Sequence, residues 1–286
     1  MKIGIGLPNP IPDTPGTILP AWALRAEQRG FSTLATIDRV AFPNHDSLIA
    51  LAAAAAVTQR IELMPNILLL PTRQPVLLAK EAATIASISN GRLTLGLGVG
   101  GREDDYTVTE TSFAHRGKRA DDMLEQMTTA WRGEPVAGSP EPVVPSLPDR
   151  TVPVIIGGNG AAAVRRTVEY GVGWTAGGAG PDQVAPMAAR VRAAWREAGK
   201  PGQPRIIVLG YFSLGDEVTD RSHEYLRHYY GIFGDFAEII ATNALRSADS
   251  IHGAIAAFAD AGVDEFILDP TVADLEQIDR LADIVF

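Results

Sequence analysis

From Ile3 to the last residues of the chain, short apolar runs rich in β-branched residues alternate with helical stretches, and no other feature limits the possible folds as strongly. The strand candidates are Ile3–Leu7, Thr33–Ile37, Ile61–Leu69, Leu93–Leu97, Val152–Ile156, Gly173–Ala176, Arg205–Phe212 and Glu265–Asp269. Helical patterns begin near Ile18, Asp46, Pro75, Gly117, Gly160, Pro181, Ser250 and Ala273. Asp46 and Ser250 suit a helix N-cap, and Pro75 and Pro181 suit a first turn. Strands that are apolar throughout belong to parallel sheets covered by helices on the outside. Eight strands, each followed by a helix, is the count of a (β/α)8 TIM barrel. A doubly wound sheet is the structural rival. The barrel is preferred because the alternation runs unbroken and the strands fit without remainder. At 286 residues and 46% hydrophobic content, the chain suffices for such a barrel as a single domain over residues 1–286.

Two connections exceed what a plain barrel needs. One runs from Gly98 to Arg116 after the fourth strand, and the other, an insertion after strand 7, spans about residues 213–248. Loops that follow strands lie on the C-terminal face, where barrel enzymes build their sites. A Pro-rich link, "EPVAGSPEPVVPSLPDR", follows a helix and belongs on the opposite face with a structural role. A net charge of −9, with no Lys/Arg block, argues against nucleic acid as a partner. The absence of cysteine excludes thiolate ligands, disulfides and cysteine nucleophiles. No His/carboxylate spacing suggests a metal site and no G-x-S-x-G elbow occurs. The opening "MKIGIGLPNP" has no signal-peptide pattern and the longest apolar runs are too short for a bilayer, so the expectation is a cytoplasmic protein away from membranes.

Candidate site residues gather at strand ends. In "PVIIGGNGAAAVRRT" a buried strand hands over to a helix through Gly157, Gly158, Asn159 and Gly160. Bare backbone N–H groups and a helix N-terminus aimed at one point suit a phosphate, and a tight packing turn is the alternative. A second cluster, Gly177 to Gly180, follows the next strand. In "LGLGVGGREDDY", Leu95 to Tyr106, alternating glycines strip one strand face of side chains. That leaves room for a flat ring or meets a packing need at the barrel mouth. Arg116, Lys118 and Arg119 stand at a helix start, where cations are unfavourable unless they answer to an anion or to Asp104, Asp105 or Asp121. Asp38 and Arg39 end the second strand and read as a site pair or a salt bridge, while His45 reads as a loop residue. The aromatic run "HEYLRHYYGIFGDF" suits either an apolar pocket, with Tyr229 a candidate beside Tyr106, or a helix core.

Taken together, "IGIGLP", "AEQRGFSTLATIDR", "PVLLAKEAATIASISNGRLTLGLGVGGREDDY", "RGKRADDMLEQM", "PVIIGGNGAAAVRRTVEYGVGW" and "AGVDEFILDP" resemble the bacterial luciferase-like family of flavin- and deazaflavin-dependent oxidoreductases. The resemblance implies a barrel, usually dimeric, binding FMN or coenzyme F420 at its C-terminal mouth. It implies that Gly157, Gly158, Asn159 and Gly160 hold the cofactor phosphate and that Arg119 reaches it. Asn66 and Ile67 match a bulge, often with a non-prolyl cis peptide, that props the ring from behind. Gly98, Gly100 and Asp104 match the strand edge beside the ring, and Gly177 and Gly178 lie near the substrate or cofactor tail. Asp38 and Arg39 are then the catalytic or ring-facing polar groups.

The chain departs from the family pattern at two places. Many members have an acid/base histidine where this chain has Arg39, and an arginine does not shuttle protons at neutral pH. The usual Gly-Asp-Gly-Trp is Gly171-Val172-Gly173-Trp174 here. The implied function is hydride transfer through a flavin-type ring to or from a small molecule. The compact chain is most similar to actinobacterial members, which places an F420-dependent reductase or dehydrogenase ahead of an FMN-dependent monooxygenase served by a flavin reductase. A catalytically silent flavin-binding homologue is the rival, and a cofactor-free barrel lyase is disfavoured by the placement of Lys2, Lys80, Lys118 and Lys200.

Overall fold

The computed structural model describes residues 1–136 and 138–286. Nine strands form one parallel sheet: β1 (Lys2–Gly6), β2 (Thr33–Thr36), β3 (Glu62–Pro65), β4 (Leu68–Leu69), β5 (Leu95–Gly98), β6 (Val154–Gly157), β7 (Gly173–Thr175), β8 (Arg205–Phe212) and β9 (Glu265–Pro270). Their order is β3-β2-β1-β9-β8-β7-β6-β5-β4. The third expected strand is present as two pieces, interrupted at Asn66–Ile67, whose peptide is cis. β3 pairs with β2 and β4 pairs with β5, so this one segment closes an eight-fold barrel. A bridge between Leu63 and Leu93 completes the seam.

The helices are α1 (Ile18–Gln28), α2 (Ser47–Val57), α3 (Pro75–Ile88), α4 (Glu103–Val108), α5 (Arg116–Trp131), α6 (Ala161–Tyr170), α7 (Pro181–Glu197), α8 (Thr219–Tyr230), α9 (Phe236–Asn243), α10 (Ala248–Asp260) and α11 (Glu276–Val285). Asp46 caps α2 by accepting from the Leu48 and Ile49 amides, and Pro75 and Pro181 open their helices as expected. Ser250, read as an N-cap, is the third residue of a capping box whose cap is Ser247. The last helix starts at Glu276, three residues beyond the expected Ala273. The Pro-rich link lies away from the mouth, where Pro142, Val143 and Pro145 run beside Thr84 and Ile88 near the C-terminal end of α3.

Side chains of a strand alternate between faces, so the register tells which ones fill the barrel. Ala35, Met64, Ile155, Ile207 and Ile267 form a middle layer inside it. Below them, at the N-terminal end, Glu265 accepts from Ser32 and Thr33 and pairs with Arg205, which also meets Glu62 at 2.7 Å. One step above the middle layer the same parity brings Ile37, Asn66, Gly98, Gly157, Thr175, Tyr211 and Asp269 to the mouth. The other face of each strand packs against the helices in one large core that includes Trp22, Leu34, Leu97, Trp174 and Phe266. No described helix is long and apolar enough to cross a membrane.

Candidate active site

The split strand sets the floor of the mouth. Ile67 turns its side chain toward β5 and β6, and a Cβ added at Gly98 would lie 2.7 Å from its Cδ1. At Gly157 the added atom would lie 3.1 Å from Ile67 Cγ2, and at Gly100, whose φ is +64°, 2.6 Å from Leu69 Cδ2. A Cβ at Gly96 would fall on the Pro65 carbonyl oxygen. The alternating glycines therefore make room for the broken strand, and Ile67 fills the space that they leave. Asn66 beside it accepts a hydrogen bond from Thr175 Oγ1 at 2.9 Å, while its buried Nδ2 has no partner.

Asp38 and Arg39 are both buried but do not pair with each other. Asp38 accepts from the Leu69 amide and from Arg73 Nη2, each at 2.9 Å. Burial pushes its carboxyl above the ordinary value against the pull of Arg73. Arg39 turns the other way: its Nε donates to Asp105 at 2.7 Å and its Nη2 to Asp104 at 2.7 Å. Asp105, fully buried, also accepts from the amides of Val40 and Ala41 at 2.8 and 2.7 Å. Each carboxylate thus ties a loop after one strand to a loop after another. Both Asp38 oxygens and the Nε and Nη2 of Arg39 are engaged in these ties. His45 is a loop residue, its Nε2 2.8 Å from the Thr14 carbonyl.

The glycine turns are open. Gly158 has φ +117° and Gly177 φ +63°, both in the region that favours glycine. A Cβ at Gly160, Gly177 or Gly178 would meet nothing within 4 Å. Helix α6 starts at this turn without a side-chain cap; the Ala163 and Val164 amides bond the Gly160 carbonyl, which leaves those of Ala161 and Ala162 unclaimed. Trp174 Nε1 donates to the Gly158 carbonyl at 2.7 Å and fixes the turn from below. Asn159 is exposed beside it. Of the basic residues near the start of α5, Arg119 donates to the carbonyls of Pro71 and Arg73 at 2.8 and 2.9 Å, and Lys118 pairs with Asp122 on its own helix. Arg116 bonds the Phe113 carbonyl and packs on its ring.

Above the mouth, α8 and α9 form a roof within the expected insertion after strand 7, and the aromatic run lies on helix. Tyr225 and Tyr229 of α8 are buried with Ile37, Leu209 and Tyr211. Tyr211 and Tyr230 share a hydrogen bond of 2.7 Å between their hydroxyls. Arg102 packs its guanidinium on Tyr229, Tyr230 and Phe233, with centroid distances of 4.7, 5.3 and 4.7 Å. Arg39 lies 5.6 Å from the Tyr229 ring. Tyr106 sits apart from this roof: its hydroxyl donates to the Val99 carbonyl, it packs edge-on against Phe113, and burial pushes its pKa up to about 12. A cavity of about 600 Å³ opens between α9, the start of α7 and β8, lined among others by Gly178, Tyr211, Tyr230, Ile240 and Phe258. That is a usual size for a small-molecule site.

Asp269 is the mouth residue that motif reading missed. It is 1% exposed, and neither carboxylate oxygen has a hydrogen-bond partner. A signal was present, an acid two residues beyond Ile267 in "EFILDP" and hence on the same inward face. Among the described residues no group of His, Cys, Asp and Glu is placed to hold a metal.

A closed parallel barrel with open glycine turns and unpaired polar groups after its strands is a TIM-barrel fold, a class whose enzymes build their sites at that end. The chain belongs to the luciferase-like monooxygenase family, whose profile matches residues 1–284. It is an oxidoreductase of that family. Uncharacterized protein Rv0940c of Mycobacterium tuberculosis is 30% identical over 223 residues, which are 67% of this chain and 77% of that protein. Among solved structures, an F420-dependent secondary alcohol dehydrogenase in complex with an F420–acetone adduct matches with a TM-score of 0.81 at 20% identity, over 99% of this chain and 98% of the other. The oxygenating constituent of 3,6-diketocamphane monooxygenase from Pseudomonas putida, a type II Baeyer–Villiger monooxygenase in complex with FMN, matches with a TM-score of 0.79 at 18% identity, over 100% of this chain and 98% of the other. At these identities the two structures speak for the fold.

Proposed function

We propose that this protein transfers hydride between a flavin-type cofactor bound at the barrel mouth and a small molecule held under the α8–α9 roof. The observation that carries the reading is the open cradle of Gly158, Gly160, Gly177 and Gly178 at the uncapped start of α6, next to a mouth floored by Ile67. A phosphate fits there by charge and by space, because unclaimed N–H groups and a helix N-terminus attract an anion and no Cβ stands in the way. Arg119, which already grips two carbonyls, would reach the same phosphate with its remaining N–H groups. The bound ring supplies the two-electron chemistry. The chain's own work is to seat it on Ile67, to offer Asn66 Nδ2 as a donor, and to exclude water with the aromatic roof. Gly98 borders that seat, while Gly100 packs toward Leu69 and Asp104 pairs with Arg39, and in this reading both serve the rim beside it.

F420 is the cofactor adopted here, supported by the likeness of the compact chain to actinobacterial members and by its mycobacterial relative. FMN with a separate flavin reductase is the alternative. The exposed apolar side chains Ile49, Leu77 and Ile88 on α2 and α3 fit a second copy of the chain, so a homodimer is part of the proposal. The test is equilibrium titration of the purified protein with F420 and with FMN, repeated on Gly160→Asp. Gly160 has φ −94° and ψ 171°, an ordinary N-cap conformation, so the aspartate caps α6 itself. The variant should keep or slightly raise its melting temperature while losing about 10²- to 10³-fold in affinity, from roughly 3–4 kcal/mol of like-charge repulsion near an effective dielectric of 20. Unchanged affinity would remove the phosphate from this turn. Binding without turnover of any electron acceptor would favour a silent homologue.

A further inference from the structure

Asp269 poses a problem that the cofactor cradle does not solve. A buried carboxyl with both oxygens unpaired is costly, and proteins keep few such groups without a use. Its position is fixed by the fold. β9 places it on the inward face opposite Tyr211, and its carboxyl sits over Gly6 so closely that a Cβ there would overlap Oδ1. Tyr211 on β8 and Tyr225 and Tyr230 on α8, three phenols, lie near enough to feel its charge. No cation pairs with it among the described residues, since Arg39 and Arg102 are engaged by Asp104, Asp105 and the aromatic rings. Such surroundings offer nothing to stabilise a carboxylate, and burial pushes the Asp269 pKa well above its ordinary value. The orphaned Oγ of Ser213 and hydroxyl of Tyr225 belong to β8's continuation and to α8, the elements next to it.

We propose that Asp269 is the substrate-facing acid of the mouth, donating a hydrogen bond from its carboxyl to an uncharged oxygen acceptor, such as a ketone or aldehyde carbonyl, on the bound small molecule. A carboxylic acid held in apolar surroundings donates as a hydroxyl does, and it polarises a carbonyl without a charge of its own. The inference rests on the mouth being the substrate site, and it names the class of substrate for that site. It also supplies, at the end of the last strand, an acidic donor that the second strand lacks, where Arg39 is locked to Asp104 and Asp105.

The experiment is infrared spectroscopy of the purified full-length protein at neutral pH, wild type against Asp269→Asn. Wild type should show a protonated-carboxyl C=O band that Asp269→Asn, a neutral isostere, lacks. Saturating cyclohexanone should shift that band to lower frequency, and cyclohexylamine at the same concentration should leave it in place. No band in wild type would mean the group is a carboxylate and would overturn the proposal. Loss of the band on adding the amine would make this a cation site, and a band that neither probe moves would mean that the acid does not meet ligands. Either result overturns the proposal too. No cofactor is present in the measurement, so its failure leaves the F420 and FMN titrations to decide the oxidoreductase reading separately.

Discussion

Replacing Arg39 by alanine tests whether the second-strand mouth is a catalytic pair or a set of loop ties. The guanidinium is 4% exposed and donates to Asp105, itself 1% exposed, and to Asp104, which is 40% exposed. The Asp104 arm faces water and counts for little. The Asp105 arm is different, because removing one partner of a buried pair strands the other charge at a cost of about 3–5 kcal/mol. Asp105 would still accept the amides of Val40 and Ala41, which puts the cost near the lower end. At roughly 2.1 cal/mol/K per residue over 286 residues, the unfolding entropy at the midpoint is about 0.6 kcal/mol/K, so about 3 kcal/mol lowers Tm by about 5 °C. Differential scanning calorimetry of Arg39→Ala, Asp105→Asn and the double variant measures this. The double variant should lie closer to wild type than the sum of the singles, since the stranded charge is gone. A Tm within about 1 °C of wild type, together with a raised KM, would refute the reasoning and return Arg39 to the substrate.

The strand glycines give a graded pair of outcomes. Gly96→Ala drives a methyl group onto the Pro65 carbonyl, a backbone atom that cannot swing aside, and should cost about 3 kcal/mol or more in urea denaturation. Gly98→Ala meets the Ile67 side chain, Cδ1 at 2.7 Å and Cγ1 at 3.0 Å, which can turn where a carbonyl cannot, and should cost about 1–2 kcal/mol, with the larger effect appearing in cofactor affinity as the seat shifts. Asp269→Asn should change how stability depends on pH. The folded state raises the pKa of this carboxyl above its ordinary 3.8, so its contribution is fully present below about pH 4 and is lost as pH rises toward the folded value. Asn does not ionise, so the variant should match wild type near pH 4 in a thermal-shift series and exceed it progressively toward neutral pH. A gap that is constant with pH would mean that Asp269 is ionised in the fold.

The barrel was legible because each strand is a short apolar run and each helix has its own start signal, down to Asp46 at α2 and Pro181 at α7. What the sequence hid was local. Ile61 to Leu69 reads as one strand, and only Pro65 and Asn66 in its middle, with the bulge that the resemblance implied at Asn66 and Ile67, mark the break that yields β3 and β4. Asp38 and Arg39 look paired because they are adjacent, yet neighbours at a strand end point to opposite sides. One therefore found Arg73 and the other Asp104 and Asp105. Ser250 suits a cap by residue type, yet each of Ser247 and Ser250 accepts from the other's amide, and only the backbone shows that the helix starts after Ser247. The six residues of α4 are too few to show a periodicity. The glycine turns were legible as openings; that Gly96 and Gly98 clear space for chain rather than for ring depends on tertiary contact with Pro65 and Ile67.

Arg102 carries a mechanical consequence. It belongs to the connection after β5, yet its guanidinium lies on rings of α8 and of the turn that follows, so two loops far apart in sequence are latched at one point. Any lifting of the roof would have to peel a cation off three aromatic faces at once, each worth about 0.5–2 kcal/mol. The same residue borders the helix whose Asp104 and Asp105 hold Arg39, so the pull is passed on to the loop after β2. The roof and the loops after β2 and β5 are thereby fastened to one another through Arg102, Asp104, Asp105 and Arg39, as one hoop around the rim and not as separate flaps.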